Sequence, residues 1–403
     1  MRSASELQLP HLPLSDAAFA ADPLPYIESA RQQHPWLAIS DMGYVVHEYQ
    51  AIRDLTLMDA KFNPSLDAII ELMGAKGTPW GDFMLDLMLA KDPPEHTRLR
   101  NSVALSFTPR TANRLRPLMR ETVSALLDEW APKGRFDFAE FASQFPIRVM
   151  FDLIGAPVDA LPGIRRSLEM QGLSASADKS LLPALEDGYK VLWNFVDELV
   201  LARQSNGGGS EDDVLTRLMA AQAAGELSAD ELRTMLIFLF AAGYDTSKNM
   251  LTLIMHVMLN RPQAWARCAD DRPFCDSVVE EVFRYHSVSN IYRTSKEPIL
   301  YRDVTIPAGS ILILTLTLAG RDPHAFTDPD SFCPSRTDPN RHLAFGRGIH
   351  MCLGQHLARA QIQEGVHLIA QRLRNPRLVG EVTWRPFPGV WGIRTLPIEF
   401  SES

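Results

Sequence analysis

The sequence predicts a mainly α fold with small β-sheets, and three features carry that expectation. A helical pattern from Ser228 to Asn260 is apolar on nearly every face, through Met235, Leu236, Phe238, Leu239, Phe240, Leu251, Leu253 and Ile254. Such a helix belongs in the interior. Amphipathic periodicity recurs over 111–130, 142–155, 158–172 and 183–204, the spacing of half-buried helices. Alternation of period two is confined to short stretches around 36–47 and 299–318. No repeat divides the 403 residues, so 1–403 reads as a single domain, with 1–60 and 290–320 supplying most of its β-rich part.

In order along the chain, a Pro-punctuated coil (Pro10, Pro13, Pro23, Pro25) leads to a helical turn at 26–33. Residues 36–40 and 43–47 alternate around Asp41-Met42 as a hairpin, and a helix follows near 49–57. Residues 62–90 mix Gly74, Gly77, Pro79 and Gly81 with Met73, Trp80, Phe83, Met84 and Met88, which reads as a greasy binding loop or lid. Asp92-Pro93-Pro94 starts a helix carrying His96 and Arg100. The run 205–213, SNGGGSEDD, reads as a surface loop inside one domain. Ser228 with Glu231 forms a capping box for the long helix, and Pro262 lies just past its end. Helices near 263–269 and 273–286, the strands, and a Pro- and Asp-rich meander over 322–340 complete the chain.

Composition narrows the function. Net charge is −9, and no basic block or aromatic-basic interleave appears, which argues against nucleic acid as a partner. Cys268, Cys275, Cys333 and Cys352 lack the spacing of a disulfide framework, pointing to a reducing cytoplasm. Neither a signal peptide nor a membrane anchor is read.

The chemistry concentrates in 341–359, RHLAFGRGIHMCLGQHLAR. Gly346 and Gly348 loosen a loop that delivers Cys352 to the mouth of a helix, where the dipole and free N–H groups favour a thiolate. Glycines at 346, 348 and 354 let backbone approach a flat object closely. A thiolate facing such a slot points to a haem iron ligand. A structural cysteine and a His350/Cys352 zinc pair are the alternatives; the latter lacks a second ligand pair. Phe345, Gly346, Gly348, His350, Cys352 and Gly354 fill the pattern F-G-x-G-x-H-x-C-x-G, which resembles the signature of the cytochrome P-450 haem-thiolate monooxygenases, bacterial type.

That resemblance extends over roughly 92–360. Ala242-Gly243-Tyr244-Asp245-Thr246-Ser247 sits mid-helix, where Gly, Thr and an acid all cost stability. It resembles the family's A-G-x-[DE]-T-[ST], which implies a widened helix holding dioxygen over haem b, iron protoporphyrin IX. Thr246 would bond the oxygen and Asp245 relay protons; the plain alternative is a kinked core helix with Thr246 bonding back to its own turn. Glu281 and Arg284, i and i+3 on one helix, with Arg336, resemble the E-x-x-R network that supports fold and haem retention. His96, Arg100, Arg293 and His350 match its haem-propionate ligands. Val288, where many bacterial members have proline, and Gly320, where Asn is common, depart from the pattern.

The resemblance implies a cytoplasmic enzyme that activates O2 to hydroxylate or otherwise oxidise a small apolar organic substrate. Electrons would come from NAD(P)H through a separate ferredoxin or flavodoxin with its reductase. Arg110, Arg114, Arg341 and Arg347 form the expected docking face. A peroxide-driven or non-redox haem-thiolate enzyme is the second reading, disfavoured by the Asp245-Thr246 pair; a haem-based ligand sensor is the third. The pocket expected from relatives comprises Phe83, Met84, Met88, Leu239, Ala242, Val288, Ile291, Val390 and Trp391, with Met170 and Leu173 from the 165–180 region. It is apolar and Met-rich, hence adaptable.

Overall fold

Ser228 opens the element around which the molecule is built. Its side chain accepts from Glu231 N at 3.1 Å, while the Glu231 carboxylate accepts from Ser228 N at 2.8 Å. The helix that follows, Ala229–Leu259, has 31 residues, about 46 Å at 1.5 Å per residue. Residues on all its faces are buried in the main hydrophobic core. Phe145–Ile154, Leu161–Gln171, Leu182–Asn206, Arg272–Tyr285 and Gln355–Arg372 pack around it. This computed structural model describes residues 2–176, 178–206, 209–210, 212–338 and 341–402. Parts of the 205–213 run and of the 322–340 meander therefore lie outside the described residues.

The periodic runs form helices with local corrections. The 111–130 run is two helices, Pro109–Arg114 and Arg116–Trp130. Pro117 has no N–H to continue the first helix and sits in the first turn of the second. The 62–90 stretch, expected to be a loop, is mostly ordered as the strand Phe62–Pro64 and the helices Leu66–Met73 and Pro79–Asp86. Its loop-like residues are caps. Gly74 ends the first helix at φ 71°, and the Thr78 side chain accepts from Gly81 N at 3.1 Å ahead of Pro79.

The principal sheet runs Leu37–Ser40, Gly43–Val46, Ile311–Leu314, Ile291–Ser295, Phe62–Pro64 in spatial order. A smaller one joins Arg2–Ser3, Val304–Ile306 and Ile299–Tyr301. Strands outside the two expected windows also pair: Pro397–Glu402 lies between Leu373–Leu378 and Arg135–Asp137, and Thr383–Trp384 pairs with Ile393–Thr395. No helix among the described residues is long and apolar enough to cross a membrane.

Two charge clusters hold helices to this frame. Glu281 and Arg284 are both 2% exposed, and Arg284 grips the carboxylate at 2.9 and 2.7 Å. Arg336 Nε and Cys333 N add donors to Glu281 Oε1 at 3.1 and 2.8 Å. Arg284 then donates to the carbonyls of Gly320, Pro329 and Ser331 at 2.5, 2.8 and 3.1 Å. In Gln355–Arg372, buried Glu364 accepts from Arg116 and Arg272 at 2.8 Å each. Burial pushes this carboxyl up, but the two guanidiniums prevail and hold it at about 2. A depressed folded-state value means the stabilisation is complete above the unfolded value and lost as protons bind. Stability should therefore decline as pH falls from about 4.3 toward 2, and Glu364→Gln should remove that part of an acid-denaturation curve.

Candidate active site

A cavity of about 360 Å3 lies between the long helix and the cysteine loop. Leu239, Ala242, Gly243 and Thr246 line one side; Phe345, Gly346, His350, Cys352 and Gly354 line the other. The loop is held by its own backbone: Cys352 N donates to Phe345 O at 2.9 Å, across left-handed Gly346 and Gly348 at φ 66° and 76°. Only glycine takes those angles cheaply. Neighbours brace it, with Ile349 N on Asp59 Oδ2 at 3.2 Å and Arg100 Nη2 on Met351 O at 2.8 Å. His342 and Arg359 converge on Glu280 at 3.1 and 2.8 Å. Gly354 is the N-cap of Gln355–Arg372, so Cys352 stands just ahead of that helix as expected.

Cys352 is exposed toward the cavity. The enclosing protein pushes its thiol above the ordinary value, while the Gly354 N–H and the charges of Arg100 and Arg359 pull the other way. Thiolate character is therefore not a property of the bare loop. A metal ion held by Cys352 Sγ would supply it, because coordination deprotonates a thiol outright.

At one end of the cavity His96, Arg100, Arg293 and His350 meet. The His96 and His350 rings are 4.4 Å apart. Burial, then Arg100, lowers His96, and burial with Arg293 and His96 pushes His350 down to about 3. Both imidazoles stand beside two guanidiniums, which disfavour a further charge on either ring. His96 Nε2 and Arg293 Nη2 are buried without a partner, a state that costs free energy unless something fills it. A flat cofactor bearing two carboxylates, with a metal over Cys352 Sγ, answers both the orphaned donors and the open thiol. Haem fits the residues present.

The long helix carries corrections. It stays regular through 242–247, with no widening. Thr246 faces the cavity, but its hydroxyl donates to Ala242 O at 2.7 Å, the back-bond of the plain alternative. Only its lone pairs are then offered to the cavity. Gly243 has a packing reason: a Cβ there would lie 2.5 Å from Met150 Sδ. Asp245 does not line the cavity. It is 1% exposed and turned to Arg385, whose Nη1 meets its Oδ1 at 2.5 Å.

Of the expected pocket residues, Met88, Leu239, Ala242, Val288 and Ile291 line the cavity. Phe83, Met84, Val390 and Trp391 do not. Phe83 stacks on Tyr189 at 4.8 Å and, with Met84, belongs to the main core. Val390 is tied by its N–H to Gly172 O at 3.1 Å. Trp391 stacks on Trp384 at 5.3 Å and donates to Ala20 O at 2.9 Å, in a separate apolar cluster. Met170 and Leu173 also lie outside the lining. The walls missed in sequence include Leu66, Phe107, Met150 and Phe238. Arg385 gave one signal only, a lone cation in the apolar run Val382 to Trp391.

The family model that matches residues 179–376 is described as Cytochrome P450. The chain is 32% identical over 400 residues to a luteothin monooxygenase of Streptomyces thioluteus, covering 98% of this chain and 97% of that protein. It is also 32% identical to a mycinamicin IV hydroxylase/epoxidase of Micromonospora griseorubida, over 71% of this chain and 72% of that one. Among solved structures, P450BioI in complex with an acyl carrier protein ligated to hexadec-9Z-enoic acid superposes with a TM-score of 0.86 at 27% identity, covering 95% of this chain and 100% of that one. Epothilone B-bound P450epoK gives 0.86 at 26% identity, over 97% and 100% of the two chains.

Proposed function

The chain belongs to the cytochrome P450 family and is a haem-thiolate monooxygenase; from that premise we propose that it oxidises a neutral, largely apolar small molecule held against Met88, Leu239, Ala242, Val288 and Ile291. The observation that carries this reading is one cavity presenting an open cysteine thiol, four convergent propionate donors and a wall that is apolar over most of its area. Haem b, when bound, supplies the redox centre at which dioxygen is reduced. Cys352 Sγ holds its iron, and His96, Arg100, Arg293 and His350 hold its carboxylates. Phe345, which lines the cavity on the cysteine side, is backed by the Phe283 ring at 4.9 Å. The apolar walls keep bulk water from the reacting end, which strengthens each remaining polar contact.

Thr246 is a polar group of the long helix that lines the cavity. Trading its bond to Ala242 O for a donor bond into the cavity would hold oxygen there for protonation. Thr246→Ala should keep ligand binding and NAD(P)H consumption but lower product formed per NAD(P)H severalfold, with the missing electrons recovered as hydrogen peroxide. Unchanged coupling would remove Thr246 from the chemistry.

Electrons reach the protein from NAD(P)H through a ferredoxin- or flavodoxin-type carrier docking on the cysteine side. Arg110 is exposed and Arg347 half-exposed, neither within ion-pair reach of a carboxylate among the described residues. Arg114 is committed to Asp212, and Arg341 lies over the Tyr49 and Phe326 rings. Arg110 and Arg347 are thus the freer contacts for an acidic partner. The test screens apolar ligands for the haem spin-state change, then measures NAD(P)H-driven oxidation of each hit with and without the carrier. Turnover that needs the carrier supports the reading. Turnover driven only by added peroxide favours the peroxygenase reading.

A further inference from the structure

His342 and Arg359 stand near the two ends of the cysteine stretch 341–359, and both reach for one carboxylate outside the cavity, that of Glu280. Arg359 Nε donates to Glu280 Oε1 at 2.8 Å, and its Nη1 donates to Gln355 Oε1 at 3.2 Å. His342 Nε2 lies 3.1 Å from Glu280 Oε2. Ala344 N donates to His342 Nδ1 at 3.3 Å, which leaves Nε2 to donate to the acid. The side chains of His342, Glu280 and Arg359 are 2%, 12% and 22% exposed. Burial pushes the Glu280 carboxyl up, but His342 and Arg359 prevail and hold it below the usual carboxylate range. All of this gathers around Phe345. The Arg359 guanidinium carbon is 4.3 Å from the centre of that ring, within cation–π range, and the His342 ring is 5.9 Å from it. Phe345 in turn lines the cavity and accepts Cys352 N at its carbonyl at 2.9 Å.

We infer that Arg359, seated on Phe345 and held there by Glu280 and His342, sets how readily an iron bound at Cys352 takes up its first electron. This rests on the haem-thiolate reading. The iron site gains one negative charge when ferric becomes ferrous, so a fixed cation beside the sulfur favours the ferrous form. The same cation draws electron density from the sulfur, and the electronics of the axial ligand are among the levers on a haem potential. Two cations bear on Cys352, Arg100 and Arg359. Arg100 belongs to the propionate end, where a haem carboxylate would offset its charge. Arg359 does not line the cavity, so haem would bring it no counter-ion. Glu280 offsets part of that charge instead, and removing one or other member of the pair should push the iron in opposite directions. One electron enters from the carrier, ferric iron becomes ferrous, and no bond or proton is exchanged with Arg359. It is a positioning residue for the reduction step, acting through Phe345 and Cys352.

The test compares wild type, Arg359→Gln, Arg359→Lys, Glu280→Gln and the Glu280→Gln/Arg359→Gln double variant. Each is loaded with haem, checked for haem content and melting temperature, and titrated with dithionite in the presence of redox mediators. Arg359→Gln should move the ferric–ferrous equilibrium about tenfold toward ferric, which is about 59 mV for a one-electron couple. Arg359→Lys keeps the charge and should keep most of the wild-type potential. Glu280→Gln should move the equilibrium toward ferrous, because its amide oxygen can still accept from Arg359 while the offsetting charge is gone. The double variant should fall between the two single ones. In the ferrous carbon monoxide complex, the C–O stretching frequency should drop in Arg359→Gln, the mark of stronger donation from sulfur, and rise in Glu280→Gln. A merely structural role would shift both single variants the same way, along with haem content and melting temperature. Wild-type potential in Arg359→Gln, or shifts of one sign in Arg359→Gln and Glu280→Gln, would overturn the assignment. Should Arg359→Gln fail to hold haem, Glu280→Gln decides, and a potential at or below the wild-type value there overturns it. Failure of the family-level reading would show differently, as a wild-type protein whose carbon monoxide complex lacks the thiolate-type band.

Discussion

Arg284→Ala is expected to yield a chain that purifies largely without haem and melts far below the wild type. The reason is the number of groups satisfied by one guanidinium. Arg284, itself buried, makes two bonds to Glu281 and three to the carbonyls of Gly320, Pro329 and Ser331. These carbonyls belong to the segment that carries the chain from the principal sheet toward the cysteine loop. Removing the cation leaves Glu281 as a buried charge facing only Arg336 and Cys333 N. Breaking one side of such a pair typically costs about 3–5 kcal/mol, a large share of the roughly 5–15 kcal/mol that keeps a domain folded. Glu281→Ala should be comparably damaging, because it strands Arg284 and Arg336 together. Haem content and melting temperature measure the effect. Wild-type values in either variant would mean the cluster contributes no more than an exposed bridge.

The elements most legible in the sequence were those whose local rules and tertiary role agree. The Ser228 capping box opens the long helix where its side chains said it would, and the hairpin over 36–47 forms as Leu37–Ser40 and Gly43–Val46. The loop assigned to 62–90 failed because a glycine or proline marks a helix end as readily as a loop. Gly74, Thr78 and Pro79 cap two short helices whose apolar faces enter the core.

The site was legible where a motif fixes backbone and side chain together. The cysteine loop needs left-handed glycines at defined positions, and His96, Arg100, Arg293 and His350 do converge on one end of the cavity. The pocket walls were less legible, since an apolar residue near a site looks the same in sequence whether it faces ligand or core. Phe83 and Trp391 went to the core, each against a ring far along the chain, Tyr189 for the first and His286 for the second. The direction of Asp245 was hidden for another reason. Its partner Arg385 lies 140 positions away, and nothing in the local pattern announces the pair.

The central proposal, that Cys352 would hold the iron of a haem bound in this cavity, has the largest expected effect on activity. Cysteine and serine differ by one atom, so Cys352→Ser keeps the loop geometry set by Phe345 O, Asp59 and Gly354 while removing the sulfur. The Glu281 cluster and the propionate donors are untouched, so the variant should fold. The alkoxide of serine is far harder to form than a metal-bound thiolate, and the electron donation that drives O–O cleavage is lost. The direct measurement is the absorption spectrum of the reduced, carbon monoxide-bound protein, recorded for wild type and Cys352→Ser. Wild type should show the red-shifted band of thiolate-ligated haem and oxidise substrate with NAD(P)H; the variant should show neither. A thiolate-type band and monooxygenation surviving in Cys352→Ser would contradict the assignment.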